Sequence, residues 1–323
     1  MVDEALELTV VGSFSRVGYV VRRHLYGWRP PTPGALEGRT ALVTGPTSGL
    51  GRAATEELAA LGARVVLVGR SEERLNVVRD SLLARHGAGR AASVVADMGS
   101  LRSIVAAVAR IHDTEPRLDV VVDNAGAISP KRTIGPDGIE STFATLVVGP
   151  FALVSGLTPL LERTGGARVI AVTSGGMYSQ RLDLDDLESS TEPYSGTRAY
   201  ARAKRAQVAL MREWAGRGAA SGITFSAMHP GWADTPGLAK SLPAFYTVMK
   251  PVLRTTAEGI DTLVWLAAAP AAASSAGKLF LDRRARAFDR VPPTRLTSRD
   301  RRRLWDAVVA LAGGADPFPR QRD

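Results

Sequence analysis

The 323-residue chain contains no cysteine. Disulfide scaffolds, thiolate-held metals and cysteine nucleophiles are thereby excluded. Its four histidines, His24, His86, His112 and His229, stand at no metal-ligand spacing, so no metal site is expected. No run of 18 consecutive apolar residues occurs. The nearest stretch, Leu263 to Ala276, is broken by Pro270 and two serines, and no membrane-spanning helix is expected. Asp3, Glu4 and Glu7 give the first residues the wrong sign for a secretory leader, which makes the cytoplasm the default expectation.

Lysine is also scarce: only five of the 41 basic residues are Lys, the rest Arg. The net charge of +9 raises nucleic acid as a partner, but aromatics are only 6% and no reading motif is present, so none is expected. The charge is local. Residues 282–303 hold nine Arg and three Asp, a net of +6, which leaves +3 for the other 301 residues. This segment reads as a solvated stretch before a final helix over Asp300–Leu311; contact with acidic lipid headgroups is the alternative.

What the chain does have is an ordinary globular composition, 45% apolar and 23% charged. Residues 1–38 read as an extension. Val17–Trp28 has the pattern of a short amphipathic helix, stopped by Pro30, Pro31 and Pro33. It either packs on the main domain or touches lipid. From Arg39 onward, short β-rich runs alternate with helical patterns: Ala41–Thr44, Val65–Val68, Ser93–Val95, Val120–Val122, Val169–Val172, Thr224–Ala227 and Lys278–Leu281. Such alternation predicts an α/β fold, a Rossmann-type doubly wound parallel sheet of about seven strands. The expected division is an extension over 1–38, one nucleotide-binding domain over 39–285, and a basic extension with a helix over 286–323.

The first run ends in Thr44-Gly-Pro-Thr-Ser-Gly-Leu-Gly51. Gly45, Gly49 and Gly51 let the backbone turn tightly and approach a pyrophosphate at the following helix N-terminus. Thr47, Ser48 and Leu50 complete the loop. At the end of the second run stands Arg70, where a carboxylate would select a free ribose hydroxyl. Its forked donors suit a 2′-phosphate, so NADP(H) is favoured over NAD(H).

Tyr200 and Lys204 stand at i and i+4 on one helix face. An ammonium beside a phenol favours its ionisation and suits it to proton transfer. Tyr246 and Lys250 repeat the spacing, but in a proline-bounded segment where a lid would lie. Ser174 follows the fifth run, at a strand end where open α/β sheets bind ligands.

These elements, with Asp97-Met98 after the third run, Asn124-Ala-Gly126 after the fourth, and Pro230-Gly231 with Thr235 after the sixth, resemble the short-chain dehydrogenase/reductase superfamily over about residues 39–285. The long gap from Ser174 to Tyr200 resembles its retinol-dehydrogenase-like branch. The resemblance implies an NADP(H)-dependent oxidoreductase acting on a small-molecule carbonyl or alcohol. It implies that Tyr200 is the acid/base, that Lys204 binds the nicotinamide ribose and tunes Tyr200, and that Ser174 orients the carbonyl. Asp97 and Met98 would meet the adenine. Asn124, Ala125 and Gly126 would line the adenosine and ribose, and Pro230, Gly231 and Thr235 would hold the nicotinamide. Paired long helices in the family often make dimers or tetramers, so a homodimer is one expectation.

Two departures stand out. Where the family often places a catalytic Asn, counting back from Gly149 gives Leu146; where an Asn is frequent before Asn124, this chain has Asp123. Leu146 cannot hold the water that links the lysine to solvent, and it motivates an alternative reading as an NADP(H)-binding sensor with weak turnover. The segment Thr235–Arg254 supplies Leu238, Leu242, Phe245, Tyr246 and Val248, which would surround a lipophilic substrate.

Overall fold

The runs of branched aliphatic residues become strands because parallel strands, covered on both faces, need apolar side chains on both. The structure, a computed structural model, describes residues 2–191, 193–290 and 294–319. Three short helices come first: α1 (Val2–Leu8), α2 (Val10–Phe14) and α3 (Arg16–Leu25). The alternating part follows as β1 (Thr40–Thr44), α4 (Gly49–Ala60), β2 (Arg64–Gly69), α5 (Glu72–His86), β3 (Ala91–Val95), α6 (Leu101–Thr114) and β4 (Val120–Asp123). Next come α7 (Ser141–Phe143), a π-helical turn at Ala144–Val148, α8 (Gly149–Thr164), β5 (Arg168–Val172), α9 (Gly196–Arg217) and β6 (Thr224–Met228). The last stretch holds α10 (Pro236–Ser241), α11 (Pro243–Met249), α12 (Thr256–Ala268), β7 (Leu279–Leu281), β8 (Arg284–Arg286) and α13 (Ser298–Leu311).

The strand order is β3-β2-β1-β4-β5-β6-β7-β8. Neighbours from β3 to β7 pair in parallel, and β8 pairs antiparallel with β7. The seven expected strands are present, and β8 adds an eighth. The boundary expected at residue 285 therefore falls inside a strand. The β7–β8 turn is made by Asp282 and Arg283, both at positive φ (55° and 54°), the geometry of a two-residue hairpin.

One apolar layer lies on each face of the sheet. Ser141–Thr164 forms a 24-residue helix apolar enough by length and composition to cross a membrane, although its residues do not form one unbroken apolar run. It is mostly buried inside the fold, as a core helix would be. Because β1 has β2 on one side and β4 on the other, the connections diverge there and open a crevice beyond the strand ends, where such sheets take ligands.

Candidate active site

The glycine loop leaves β1 at this crevice. Gly45 and Gly49 sit at positive φ (68° and 51°), which glycine alone adopts without strain. A Cβ on Gly51 would collide with the Gly45 carbonyl. Asn124 ties the loop to the next strand: its Nδ2 donates to the Thr44 carbonyl at 3.0 Å. The Asn124 and Ala125 amides both donate to Thr44 Oγ1 at 2.9 Å. Ser48 caps α4 by position, yet its hydroxyl makes no capping bond, whereas Ser71 and Ser100 close the first turns of α5 and α6. The first-turn amides of α4 thus remain available to an anion. Arg70, exposed just past β2, makes no ion pair among the described residues. Asp97 spends one carboxylate oxygen on the Gly99 amide at 2.9 Å. Thr235 lies against the glycine loop, 3.4 Å from where a Gly49 Cβ would stand. These groups form a cradle with an open helix terminus and a free guanidinium, which fits a dinucleotide carrying an additional phosphate.

Ser174, Tyr200 and Lys204 converge from β5 and α9. Ser174 Oγ accepts from the Gly176 amide at 3.2 Å, which leaves its own proton to donate. Its hydroxyl also favours the Tyr200 phenolate. Lys204 is buried, with Nζ 5.8 Å from the Tyr200 ring centre and donating to the Val172 carbonyl at 2.8 Å. Burial pushes the Tyr200 phenol up to about 12, with the Ser174 hydroxyl working against it. Burial likewise lowers Lys204 to about 8, with the Asp123 charge opposing. The phenol, expected to be brought down by the ammonium, is instead held up by burial in the protein alone.

Behind Lys204 lies a buried polar pair. Gln207 Nε2 donates to Asp123 Oδ2 at 2.8 Å, and neither Asp123 Oδ1 nor Gln207 Oε1 has a hydrogen-bond partner among the described residues. Burial pushes Asp123 up to about 6, against the pull of Lys204 and Gln207. Leu146 is fully buried in the π-helical turn, and its Cδ2 occupies the space a side chain at Gly126 would need, close to Lys204 Nζ. An apolar side chain therefore fills the slot beside the lysine.

The lid is α10–α11. Its ends are pinned by the Arg254 amide donating to the Trp232 carbonyl and the Asp234 amide donating to the Arg254 carbonyl, at 2.8 and 2.7 Å. Phe245 packs edge-on against Trp232 with ring centres 5.1 Å apart. Leu238, Leu242, Phe245 and Tyr246 are partly covered, but Val248 points to solvent and does not line a pocket. Tyr246 donates to Asp234 at 2.9 Å, so the second Tyr/Lys pair belongs to the lid.

A family profile described as short chain dehydrogenase matches residues 39–244. The chain belongs to the short-chain dehydrogenase family. It is similar to human "Dehydrogenase/reductase SDR family member 12", 40% identical over 250 residues, covering 77% of this chain and 78% of that one. A protein of Streptomyces sp. (strain C5), provisionally named daunorubicin C-13 ketoreductase DnrU, is 38% identical over 292 residues, 88% of this chain and 98% of that one. Among solved structures, one from Beutenbergia cavernae, provisionally described as an NAD(P)-dependent gluconate 5-dehydrogenase with NADP bound at low occupancy, superposes with a TM-score of 0.63. It is 25% identical and covers 78% of this chain and 97% of that one.

In this short-chain dehydrogenase the N-terminal helices belong to the site's walls, which the sequence pattern did not indicate. Phe14 packs on His229, with ring centres 4.6 Å apart, and on Trp232 at 5.9 Å. Its Cε2 lies 2.5 Å from where a Gly175 Cβ would stand, so Gly175, next to Ser174, is required to admit the ring. The Phe14 carbonyl accepts from the Trp232 amide at 2.8 Å. One aromatic residue thus braces both the Ser174 loop and the Pro230–Gly231 loop. His229 is buried; burial first, then the Arg254 charge, lowers it to about 3, so it is neutral at physiological pH and accepts the Gly231 amide on Nδ1 at 3.3 Å.

The basic C-terminal segment needs correction as well. Arg286 and Arg290 are not solvated: Arg286 pairs with Asp3 at 3.1 Å and Arg290 pairs with Glu7. Arg301 reaches Glu213 on α9 at 3.3 Å.

Proposed function

We propose that the protein is an NADP(H)-dependent oxidoreductase that interconverts a carbonyl and an alcohol on a lipophilic small molecule. The observation that carries this reading is the meeting of Ser174, Tyr200 and Lys204 at the open end of β5, beside the glycine cradle. Arg70 would take the 2′-phosphate, the α4 terminus the pyrophosphate, Asp97 and Met98 the adenine, and Asn124, Ala125 and Gly126 the adenosine side. Lys204, Pro230, Gly231 and Thr235 would hold the nicotinamide end. The nicotinamide, when bound, gives or receives the hydride.

The protein's own part is positioning and proton transfer. Ser174 donates to the substrate oxygen and fixes the carbonyl. Tyr200, protonated because its surroundings hold the phenol high, gives its proton to that oxygen in reduction and takes it back in oxidation. Lys204, as a buried cation, favours the phenolate left behind. The lid's Leu238, Leu242 and Phe245 favour an apolar substrate body. Tyr200→Phe tests the reading. Turnover of a carbonyl panel should fall about 10²- to 10⁴-fold while NADPH still quenches tryptophan fluorescence. Undiminished turnover would refute the assignment.

Leu146 favours one second reading, a cofactor-binding sensor. With an apolar residue beside Lys204, no water relay through that slot reloads Tyr200. Tight NADPH binding with no hydride transfer to any member of the panel would favour the sensor.

A further inference from the structure

Helix α3 is inside out. Its inward side carries Gly18, Tyr19 and Arg22, all buried, while Val17, Val20 and Leu25 are 53%, 37% and 49% exposed. The helix buries its polar stripe because Arg22 meets three carboxylates inside. Its apolar stripe is left half open to solvent among the described residues. The pattern continues through the two helices before it, where Leu8 is 87% exposed and Val10 and Val11 are also open. Of the twelve large apolar side chains that stand exposed among the described residues, seven fall within residues 2–25. Single exposed aliphatics are ordinary; a concentration of them on adjoining short helices is not.

The exposed charge beside this face is mainly positive, with Glu4 of α1 the exception. Between Glu7 and Glu37 the chain exposes Arg16, Arg23 and Arg29 and has no carboxylate. The lid, residues 235–254, also lacks carboxylates and exposes Lys240 and Lys250. The lid and the face are joined: Arg254 donates to the Ser13 and Ser15 carbonyls at 3.0 and 3.2 Å. Exposed Arg284 lies over Tyr26, just past α3.

We infer that the outward face of α1–α3 docks on an anionic lipid surface and seats the lid beside the bilayer. Aliphatic side chains enter the headgroup boundary while the arginines and lysines meet anionic headgroups, the pattern of an interfacial amphipathic helix. A second copy of the chain is the poorer occupant, since a two-fold contact would bring these cations against their own copies. The inference is independent of the oxidoreductase reading, because lipid binding is measured without turnover. It gives a lipophilic substrate a direct route from membrane to lid.

The test is flotation of the full chain with phosphatidylcholine vesicles, with and without phosphatidylglycerol. The chain should float with the mixed vesicles and at least about tenfold less with phosphatidylcholine alone. The double variant Val17→Glu/Val20→Glu, which leaves the buried side of α3 untouched, should lose about tenfold or more of the floated fraction with an unchanged melting midpoint. Arg23→Glu/Arg29→Glu should lose only the preference for phosphatidylglycerol. Absence of flotation at low salt, or equal flotation of Val17→Glu/Val20→Glu, overturns the inference. So does a dimer in vesicle-free solution that this variant dissociates, which would assign the face to a second copy.

Discussion

The two ends of the chain dock on the body of the protein with different emphasis, although Phe14 adds a ring contact at the first and Arg301–Glu213 an ion pair at the second. At the N-terminus the contact is mainly charge. Arg22, fully buried, donates to Asp3 and Asp282 at 2.6 Å each and to Glu7 at 2.7 Å. Arg254 forks onto the same Asp282 at 2.6 and 2.9 Å. At the C-terminus the contact is mainly aromatic. Trp305 of α13 sits 4.9 Å from both Phe151 and Trp214, and Trp214 stacks on Phe225 at 5.2 Å. Ring packing of this kind contributes stability in proportion to buried area and tolerates small shifts. A buried ionic cluster gains little net stability but tolerates only one arrangement, since any charge left unpaired is costly. The cluster, moreover, shares Arg254 with the Pro230 carbonyl and the lid. The N-terminal addition is coupled to the active site; the C-terminal one is coupled to the core.

The sharpest way to break this contrast is Asp282→Ala, which takes the carboxylate from buried Arg254 and one of three from buried Arg22. It should cost about 3–5 kcal/mol in denaturant unfolding and raise KM in the folded fraction. A cost below about 1 kcal/mol would mean the cluster is dispensable. Trp305→Ala should cost about 3 kcal/mol through the cavity it leaves, with a much smaller effect on KM, because its ring packs on Phe151 and Trp214, away from the Ser174 end of β5. Equal effects of the two variants on KM would erase the distinction.

Acid should separate the ends next. Burial alone would raise Asp3, but bonds from Arg286, Arg22 and Tyr26 overcome it and hold the carboxyl well below the usual range. Its stabilising contribution is complete above the unfolded value, about 4, and is lost as pH falls below that. Hydrogen exchange should therefore show α3 loosening at acid pH before α13. Simultaneous loosening would contradict the ionic account.

The smallest effect has the opposite sign. Asp123 is a buried carboxylate with an amide partner in place of guanidiniums, and its ionisation is raised to about 6. A raised carboxyl favours the protonated fold, so the penalty grows as pH climbs from about 4 through about 6 and is complete above that. Asp123→Asn should stabilise by about 1–2 kcal/mol at neutral pH. It also removes the charge that supports Lys204, so the alkaline limb of kcat/KM should move to lower pH. An unmoved limb would separate Asp123 from the catalytic lysine.

The sheet was legible in the sequence because each parallel strand needs a dense aliphatic run, and Val65–Val68 or Val120–Val122 leave little else to form. The glycine loop, Ser174, Tyr200 and Lys204 were legible because their spacing is set by local chain geometry at strand ends and on one helix. Strand β8 was not, since Arg-Ala-Arg has no apolar alternation and is held by the turn and by ion pairs. Periodicity identified α3 as amphipathic but could not say which stripe faces inward; that depends on Asp282, which lies 260 residues away. The same distance explains the misreading of Arg286 and Arg290, whose carboxylates lie in α1. The C-terminal helix covers Phe151 and Trp214 on α8 and α9, the paired long helices through which a homodimer was expected; only its tertiary contacts reveal that.

The separation between Arg22 and its partners also bears on how the protein is made. Asp3, Glu7 and Arg22 are translated well over 200 residues before Arg254, Asp282 and Arg286; 260 residues separate Arg22 from Asp282. At roughly 5–20 residues per second, the opening helices wait on the order of tens of seconds, fully hydrated, for the anion they will share. Helices α1–α3 thus cannot be seated until the β7–β8 turn exists, and the active site acquires its Phe14 wall only once those strands of the sheet are complete.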